Sequence, residues 1–306
     1  MGEHDNEIRR ESGREASRET GRRLKYSRIR YRRVFLIITD LMGIGGAPDA
    51  AAYGDAAADT MARLAGSPEK PDVRNLRNLG LFNMKRIPGV DPVTYMMGRY
   101  MPLCRKSGGT DLAAGIRELM GILPAEDAEP EGTKPEERGL PGSVTVPAAL
   151  KAAGLDLFSA GTVREVFGNE EFPECLCRER GMEAMAQVIK LTDRNFHGLC
   201  FADVGEDEAS PAALERFDRA LGKLMHGLNH NDLLLVTGVR GRDPASPDQH
   251  GTRERAAFTA WSPRFRTGGP LPGASWLCFV GATICDNFGV KLPEGAVGNS
   301  RWDDFW

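Results

Sequence analysis

The stretch RVFLIITDLMGIGGAPDA, residues 33–50, decides the fold of this 306-residue chain. It begins as a run of β-branched and other apolar side chains, reaches Asp40, and continues into a glycine-rich turn. A short apolar run bounded by a turn is typical of a strand that is buried on both faces, as in parallel sheets covered by helices. The stretch therefore predicts an α/β fold with an acidic side chain at the carboxyl end of the first strand.

Strand-like and helix-like patterns alternate along the rest of the chain. Apolar residues have helical spacing over 108–122, where Thr110 or Asp111 is the expected N-cap. This alternation predicts a three-layer α/β sandwich, in which a mostly parallel sheet has helices on both faces. Ligands of such sheets bind at the carboxyl ends of the strands, where we expect Asp203 and Arg240 to join Asp40.

Composition divides the chain into four parts. Residues 1–32 are rich in arginine and poor in apolar side chains, which predicts a disordered basic arm. The first part of the core is predicted over 33–122 and the second over 143–306. Between them, 123–142 is rich in proline and glutamate, which is typical of a linker.

Charge and cysteine content narrow the possible partners. The net charge is −3, and the basic arm makes the remainder more acidic than that value, so we do not expect the core to bind nucleic acid. The arm is the one segment suited to RNA or another acidic partner. No run approaches the roughly 18 apolar residues of a membrane helix. Six cysteines without zinc-site spacing favour reduced thiols in a cytoplasmic protein.

Several segments, in chain order, resemble the phosphopentomutase family. They are VFLIITDLMGIGGAPDAAAYGDAAADT (34–60), SGGTDLAAGIRELMG (107–121), TVPAALKAAGLDLFSAGTVREVF (145–167), LLLVTGVRGRDP (233–244), HGTRE (250–254) and GATICDNFGVKLP (281–293). The likeness covers about residues 33–298. It implies the core fold of the alkaline phosphatase superfamily and, in an intact member, a pair of manganese ions. It also implies that the linker 123–142 stands where the family has a mobile cap domain.

The resemblance assigns roles to residues of the strand ends. Asp40 matches the first metal-binding aspartate, and Asp203 matches a later one. At the next two family ligands, an aspartate and a histidine, this chain has Val239 and Arg240. A further ligand histidine falls on Gly251.

Further candidates lie next to, rather than at, the positions that match the family's functional residues. His250 precedes Gly251 and is a residual candidate metal ligand. The family's phosphorylated threonine matches Leu112, which offers no hydroxyl, so Thr110 or Ser107 near the same helix start is the remaining candidate nucleophile.

Physical chemistry argues against a metal pair here. Two adjacent divalent ions need about six to eight oxygen, nitrogen or sulfur donors between them. Arg240 would bring a permanent cation to the metal position, and at about 4 Å two like unit charges repel by several kcal/mol in a moderate dielectric. We therefore expect no cofactor; the alternative is one divalent ion, Mn²⁺ or Mg²⁺.

Three hypotheses of function follow. The first is a phosphopentomutase-like core that has lost catalysis and binds a protein or a phosphorylated metabolite, with Arg240 and Arg242 as anion contacts. In it, arginine neutralises Asp40 and Asp203, and the neighbours Arg242–Asp243 and Arg253–Glu254 form ion pairs in place of the metal. The second is a metal-dependent phosphatase or phosphomutase for sugar phosphates that uses Asp40, Asp203 and His250, with Asp248 as a further ligand. The third is an inert core tethered by the basic arm.

Overall fold

The structure is a computed structural model that describes residues 30–124, 144–246, 251–273 and 275–305. Residues 1–29 of the predicted arm, 125–142 of the predicted linker, and His250 and Asp248 lie outside the described residues. The predictions made for them stay predictions. Both predicted parts of the core, 33–122 and 143–306, contribute strands to the same sheet.

The described residues form a ten-stranded mixed sheet. Its strands are β1 (Arg33–Ile38), β2 (Gly43–Gly46), β3 (Arg99–Cys104), β4 (Asp156–Ala160), β5 (Glu174–Cys177), β6 (Gly198–Asp203), β7 (Asp232–Thr237), β8 (Glu254–Trp261), β9 (Gly269–Pro270) and β10 (Ser275–Trp276). The order is β10-β3-β8-β7-β1-β6-β4-β5, with β2 paired to β8 and β9 paired to β3. Strands β7, β1, β6, β4 and β5 run parallel, whereas β8 is antiparallel to β7 and β3.

Helices cover both faces of this sheet. They are α1 (Thr60–Ala65), α2 (Arg74–Asn78), α3 (Leu81–Met84), α4 (Leu112–Leu119), α5 (Val146–Ala152), α6 (Val163–Phe167), α7 (Gly181–Leu191), α8 (Pro211–Gly227) and α9 (Phe279–Phe288). Alternate side chains of β1 enter two separate apolar cores: Phe35 packs with residues of α7 and α8, and Leu36 packs with residues of α4 and α9. The predicted three-layer α/β sandwich is confirmed.

Strand register brings the predicted site residues to one edge. Ile38 of β1 is paired with Asp203 of β6 on one side and with Thr237 of β7 on the other. Asp40 lies two residues beyond the end of β1, in a short 3₁₀ turn that is N-capped by the Thr39 hydroxyl. Carboxyl ends of neighbouring parallel strands meet at one edge, so these residues face a common site.

Five strands, β2, β3, β5, β9 and β10, were not predicted from the sequence, and β8 was predicted too short. The segment of β2, Gly43–Gly46, was expected to be a turn. β3 and β5 lack a sustained apolar run, and β5 has four residues at the edge of the sheet. β8 begins at Glu254, four residues before the apolar segment FTAWSP that predicted it. Within the described ranges, no helix is both long and apolar enough to cross a membrane.

Candidate functional site

Two buried carboxylates form the floor of the site. Asp40 follows β1 and Asp203 ends β6, and both are almost fully shielded from solvent. A buried carboxylate is costly unless it is paired or hydrogen-bonded, so the donors around these two residues determine what the site can hold.

Three arginines converge on one oxygen of Asp40. Its Oδ2 accepts hydrogen bonds from Nη2 of Arg180 at 3.3 Å, of Arg240 at 3.0 Å and of Arg242 at 3.1 Å. We call Arg180, Arg240 and Arg242 the arginine trio. An arginine was predicted to neutralise Asp40, and in the structure three guanidiniums contact it.

Asp203 is saturated with donors. Its Oδ2 accepts from the Thr162 hydroxyl at 2.6 Å and from Arg180 Nε at 2.7 Å. Its Oδ1 accepts from the Gly205 amide at 3.0 Å and from Arg180 Nη2 at 3.3 Å. Each oxygen thus has two donors, which uses the lone pairs that a metal ion would need.

The arginine trio covers the two carboxylates on the solvent side. The side chains of Arg180, Arg240 and Arg242 are 18%, 13% and 16% exposed, whereas those of Asp40 and Asp203 are 2% and 0% exposed. An incoming ion or molecule therefore meets guanidinium groups before it meets carboxylate oxygens.

The ionisation of the site follows from these contacts. Burial alone would raise the pKa of Asp40, but Arg240, Arg180 and Arg242 outweigh burial and hold that pKa below its ordinary value. Burial alone would lower the pKa of Arg180, but Asp203 and Asp40 outweigh it and leave the pKa raised. Asp40 and the guanidinium of Arg180 therefore both stay charged near neutral pH.

Arg240 and Arg242 connect the strand end to two opposite loops. Nη1 of Arg240 donates to the carbonyl oxygen of Thr110 at 3.2 Å, in the loop before α4. Nη1 of Arg242 donates to the carbonyl oxygen of Asp207 at 2.6 Å, in the loop after β6. The pair thus spans the site between these loops.

Two glycines make room for the arginine trio. A Cβ atom on Gly251 would lie 2.1 Å from Cδ of Arg240, and one on Gly205 would lie 2.3 Å from Nη2 of Arg180. Real Cβ atoms do not approach other atoms so closely, so any larger residue at either position would displace an arginine. The position that the family resemblance assigns to a ligand histidine is thus a glycine that leaves space for Arg240.

Val239 is part of the apolar core rather than of the site. It is buried and packs in the core below α4, and a Cβ atom on Gly115 of that helix would lie 2.7 Å from its Cβ. A carboxylate at position 239 would meet this apolar contact, so the replacement of the family's aspartate by valine fits the local packing.

The start of α4 holds the residues considered as nucleophiles. Asp111, not Thr110, is the N-cap, because its Oδ1 accepts from the Ala114 amide at 2.8 Å. Leu112 begins the helix at the family's nucleophile position. Ser107 is buried, and its hydroxyl accepts a hydrogen bond from Arg105 Nε.

The two ion pairs predicted between sequence neighbours are wrong. Asp243 pairs with Arg63 at 2.7 Å, while Arg242 turns to Asp40. Arg253 pairs with Asp49 at 2.7 Å. Each predicted partner thus contacts a residue from another part of the chain.

Glu254 has polar partners of its own. Its Oε1 accepts from the hydroxyls of Thr60 and Thr252, both at 2.6 Å, and its Oε2 accepts from the amides of Gly45 and Thr60 at 3.1 and 3.0 Å. Burial raises the pKa of this carboxyl, and the hydrogen bonds oppose the rise only in part. Glu254 thus holds β2 and the start of α1 against β8.

These residues do not fit a pair of metal ions. No group of three His, Cys, Asp or Glu side chains suited to a metal lies within the part of the chain that the structure describes. More directly, donors occupy both oxygens of Asp203 and Oδ2 of Asp40, and three cations stand where a further cation would have to enter.

Arg180 was missed by the sequence analysis. It stands in the loop between β5 and α7, at the carboxyl end of a strand, where functional residues of such sheets gather. The end of a strand is where functional residues are expected, but β5 has only four residues and was not predicted, so the loop that carries Arg180 could not be placed beside the site.

Comparison with known sequences supports the resemblance seen in the motifs. No family model matches the chain. The phosphopentomutases of Agathobacter rectalis and Clostridium botulinum are 25% and 26% identical to it, and each alignment covers 89% of this chain and 98% of that enzyme. Each alignment spans 388 positions, more than the 306 residues of this chain, so part of each relative has no counterpart here.

Solved structures support the fold. The lipoteichoic acid synthase LtaP from Listeria monocytogenes superposes with a TM-score of 0.56 at 10% identity, over 92% of this chain and 77% of that one. The 2-O GAG sulfatase BT1596 superposes with a TM-score of 0.53 at 10% identity, over 90% of this chain and 74% of that one. At such low identity the likeness concerns the fold alone. The chain is thus similar in sequence to the phosphopentomutases over 89% of its length, and it shares its α/β fold with these solved structures.

Proposed function

We propose that this chain is a non-catalytic relative of phosphopentomutase whose core binds a ligand instead of transferring a phosphoryl group. The single observation that carries the proposal is the contact of the arginine trio with Asp40 and Asp203. Metal ions in phosphoryl transfer neutralise charge and activate a nucleophile, and a guanidinium fixed on the carboxylates cannot activate one.

The nucleophile position supports the same proposal. Leu112 has no oxygen, and the Thr110 carbonyl is already an acceptor for Arg240. For Thr110 to attack, its hydroxyl would need a base or a metal to remove the proton, and the group bound beside it is a cation. A permanently protonated guanidinium is unsuited to be that base.

The expected replacement of the family's cap domain by residues 123–142 is consistent with the same proposal. Part of each phosphopentomutase relative has no counterpart here, and we assign that part to the family's mobile cap, with 123–142 in its place. Phosphoryl transfer depends on closure that excludes water from the reacting groups. A core without a cap would hold a phosphorylated ligand in an open site, which suits binding better than mutase chemistry.

Metal content and turnover test the proposal together. Protein purified without chelator is expected to contain less than about 0.2 equivalents of Mn, Mg or Zn and to interconvert no ribose phosphates when Mn²⁺ is added. Stoichiometric metal together with turnover that Asp40→Asn abolishes would establish the alternative, a metal-dependent phosphomutase or phosphatase with a reduced site. The basic arm is tested separately: if it is the working part, deletion of residues 1–30 should abolish partner capture and leave the melting temperature unchanged, and retained capture would reject that hypothesis.

A matched gain-of-metal variant sharpens this test. Val239→Asp, Arg240→His and Gly251→His together restore the donor types that the family has at these positions. We expect this triple variant to bind about one equivalent of Mn²⁺ or more, because it removes one cation and adds three ligands. The single change Val239→Asp is the control, and it should leave metal content unchanged because Arg240 remains on Asp40.

A further inference from the structure

The amino-terminal end of the parallel strands, opposite to the arginine trio, carries an excess of positive charge. Three loops that precede β1, β6 and β7 and one loop that follows β8 lie at this end. Residues 30–33, 192–197, 229–232 and 262–266 of these loops include six arginines and two aspartates, with no lysine or glutamate. The net charge of the whole chain is −3, so positive charge is concentrated at this end of the sheet.

Hydrogen bonds join these loops into one surface. The amide of Arg32 donates to the carbonyl oxygen of Asn231 at 2.8 Å, and the amide of Gly198 donates to the carbonyl oxygen of Arg32 at 3.0 Å. Nη2 of Arg264 donates to Oδ1 of Asn231 at 2.9 Å. The arginines therefore belong to a continuous face of the molecule rather than to separate loops.

Arg33 neutralises the negative groups beneath this face. It is buried, and its Nε and Nη2 donate to the two carboxylate oxygens of Asp232 at 2.7 and 2.6 Å. Its Nη1 donates to the carbonyl oxygens of Thr192 and Arg194 at 2.8 and 2.7 Å, just beyond the carboxyl end of α7. One of the two aspartates and the negative end of a helix dipole are thus satisfied inside the protein.

Arg32 and Arg194 remain available to a ligand. Both side chains are exposed, and neither has an ion pair in the part of the chain that the structure describes. The guanidinium of Arg194 is supported from below, since it lies 5.0 Å from the centre of the Phe158 ring. These two arginines, with several asparagines, border a cleft of about 260 Å³.

The asparagines of this cleft offer donors rather than acceptors. Oδ1 of Asn229 accepts from the amide of Asn231 at 2.8 Å, and Oδ1 of Asn231 accepts from Arg264. Both residues are exposed, and their Nδ2 groups have no acceptor among the described residues. Guanidinium and amide donors together favour a ligand rich in acceptor oxygens, and arginine and asparagine are among the side chains that contact nucleic-acid phosphates.

The chain that leads into the cleft extends the positive charge. Residues 20–33 contain seven arginine and lysine residues and no aspartate or glutamate, and Arg32 borders the cleft. A polymer with regularly spaced phosphates gains from each additional cation that it reaches, because every neutralised phosphate releases counterions. A run of cations continuous with a cleft therefore suits a polyanion better than a small anion.

We infer that this end of the sheet binds single-stranded nucleic acid, with Arg32 and Arg194 on its phosphates and one nucleotide in the cleft. A cleft of this size admits a single unstacked nucleotide, which a duplex does not present. The acidic average of the core, on which the expectation against nucleic acid rested, conceals this local excess of positive charge. The site is separate from the arginine trio and does not depend on the proposed function.

Fluorescence anisotropy of the full chain with a labelled oligouridine of about 12 nucleotides tests this inference. We expect binding that weakens as salt is added, and weaker binding of an RNA duplex of the same length. Absence of oligouridine binding at low salt would overturn the inference. Competition by polyglutamate as effective as that by unlabelled oligouridine would point to an acidic protein instead and would also overturn it.

Arg194→Gln separates this site from the basic arm, because Arg194 is remote from the arm in sequence. The variant should lose about threefold or more in affinity, and the slope of log K against log salt should become shallower by about 0.7. Arg178→Gln is the control, since Arg178 is equally exposed but follows β5 at the opposite end of the sheet. Equal affinity of the two variants and the wild type would assign binding to the arm alone and reject a site on the core.

Asp193→Asn is expected to improve binding. The carboxylate of Asp193 borders the cleft and is exposed, so its removal takes away a negative charge that opposes a phosphate. Affinity for oligouridine should rise about twofold or more, a gain that damage to the fold cannot produce. Unchanged or weaker binding would contradict the cleft as the site. Either result leaves the proposed function intact, because manganese content and turnover concern the opposite end of the sheet.

Discussion

The side chain of Arg240 fills the space in which a side chain at position 251 would lie. A Cβ atom added to Gly251 would lie 2.1 Å from Cδ of Arg240, whose Nη2 donates to Asp40 at 3.0 Å. Arg240 can therefore reach Asp40 along this path only because residue 251 is a glycine. The same holds for Gly205 and Arg180, where the corresponding distance to Nη2 is 2.3 Å.

A double-mutant cycle on this pair tests the shared volume. Gly251→Ala should lower the free energy of unfolding by about 2 kcal/mol, because it forces Arg240 away from Asp40. In an Arg240→Ala background the same change should cost nothing or stabilise slightly, since the space is then empty. Urea unfolding gives the free energy of unfolding of the wild type, the two single variants and the double variant. Additive changes in this free energy would contradict a clash between residue 251 and Arg240.

Arg180 is expected to contribute most to stability within the arginine trio. Arg180→Gln leaves the buried Asp203 without its ionic partner, and breaking a buried pair typically costs about 3–5 kcal/mol. The exposed neighbour Arg178→Gln serves as the control and should change stability by less than about 0.5 kcal/mol. Adding Asp203→Asn to Arg180→Gln should recover part of the loss; no recovery would mean that the loss is not caused by an unpaired carboxylate.

Stability should depend on acid pH through Asp40. Its folded-state pKa lies below the ordinary value of 3.8, so the folded protein binds fewer protons than the unfolded chain in this range. The stabilisation is present above that value and is lost as the pH falls through the lower folded pKa. Unfolding free energies measured from about pH 5 downward should fall less steeply in Asp40→Asn than in the wild type. Equal slopes would contradict the pairing.

Glu254 should show the opposite dependence. Burial raises its folded pKa above 4.5, so its contribution to stability falls as the pH rises from 4.5 through the folded pKa. Glu254→Gln should remove this dependence at a small cost, because the threonine hydroxyls can rotate to accept from the new amide. Glu254→Ala should cost about 2–3 kcal/mol, since it leaves buried donors unpaired. Equal losses in the two variants would show that the hydrogen bonds are unimportant.

Part of this architecture could be predicted from the sequence. The apolar run of β1 and the helical spacing of α4 predicted their elements because burial on a sheet or helix face imposes a period on the chain. The resemblance placed Asp40, Asp203 and Arg240 in one site, and strand register then brings them together.

What the sequence could not supply was the choice of partners. Arg242 and Asp243 are neighbours in the chain, yet Arg242 contacts Asp40 and Asp243 contacts Arg63. Side-chain direction and long-range packing decide such pairs, and neither leaves a local pattern in the sequence. The position of Arg180 could not be predicted because it follows β5. This short edge strand is placed by its pairing with β4 rather than by its own composition.

The most direct test of the central claim is a crystal structure after soaking in Mn²⁺ and phosphate, with anomalous scattering recorded at a wavelength where manganese absorbs. We predict no anomalous peak at Asp40 and Asp203, and guanidinium groups of Arg180, Arg240 and Arg242 within hydrogen-bonding distance of these carboxylates. Two manganese ions coordinated by Asp40 and Asp203, with the arginines displaced, would contradict the account.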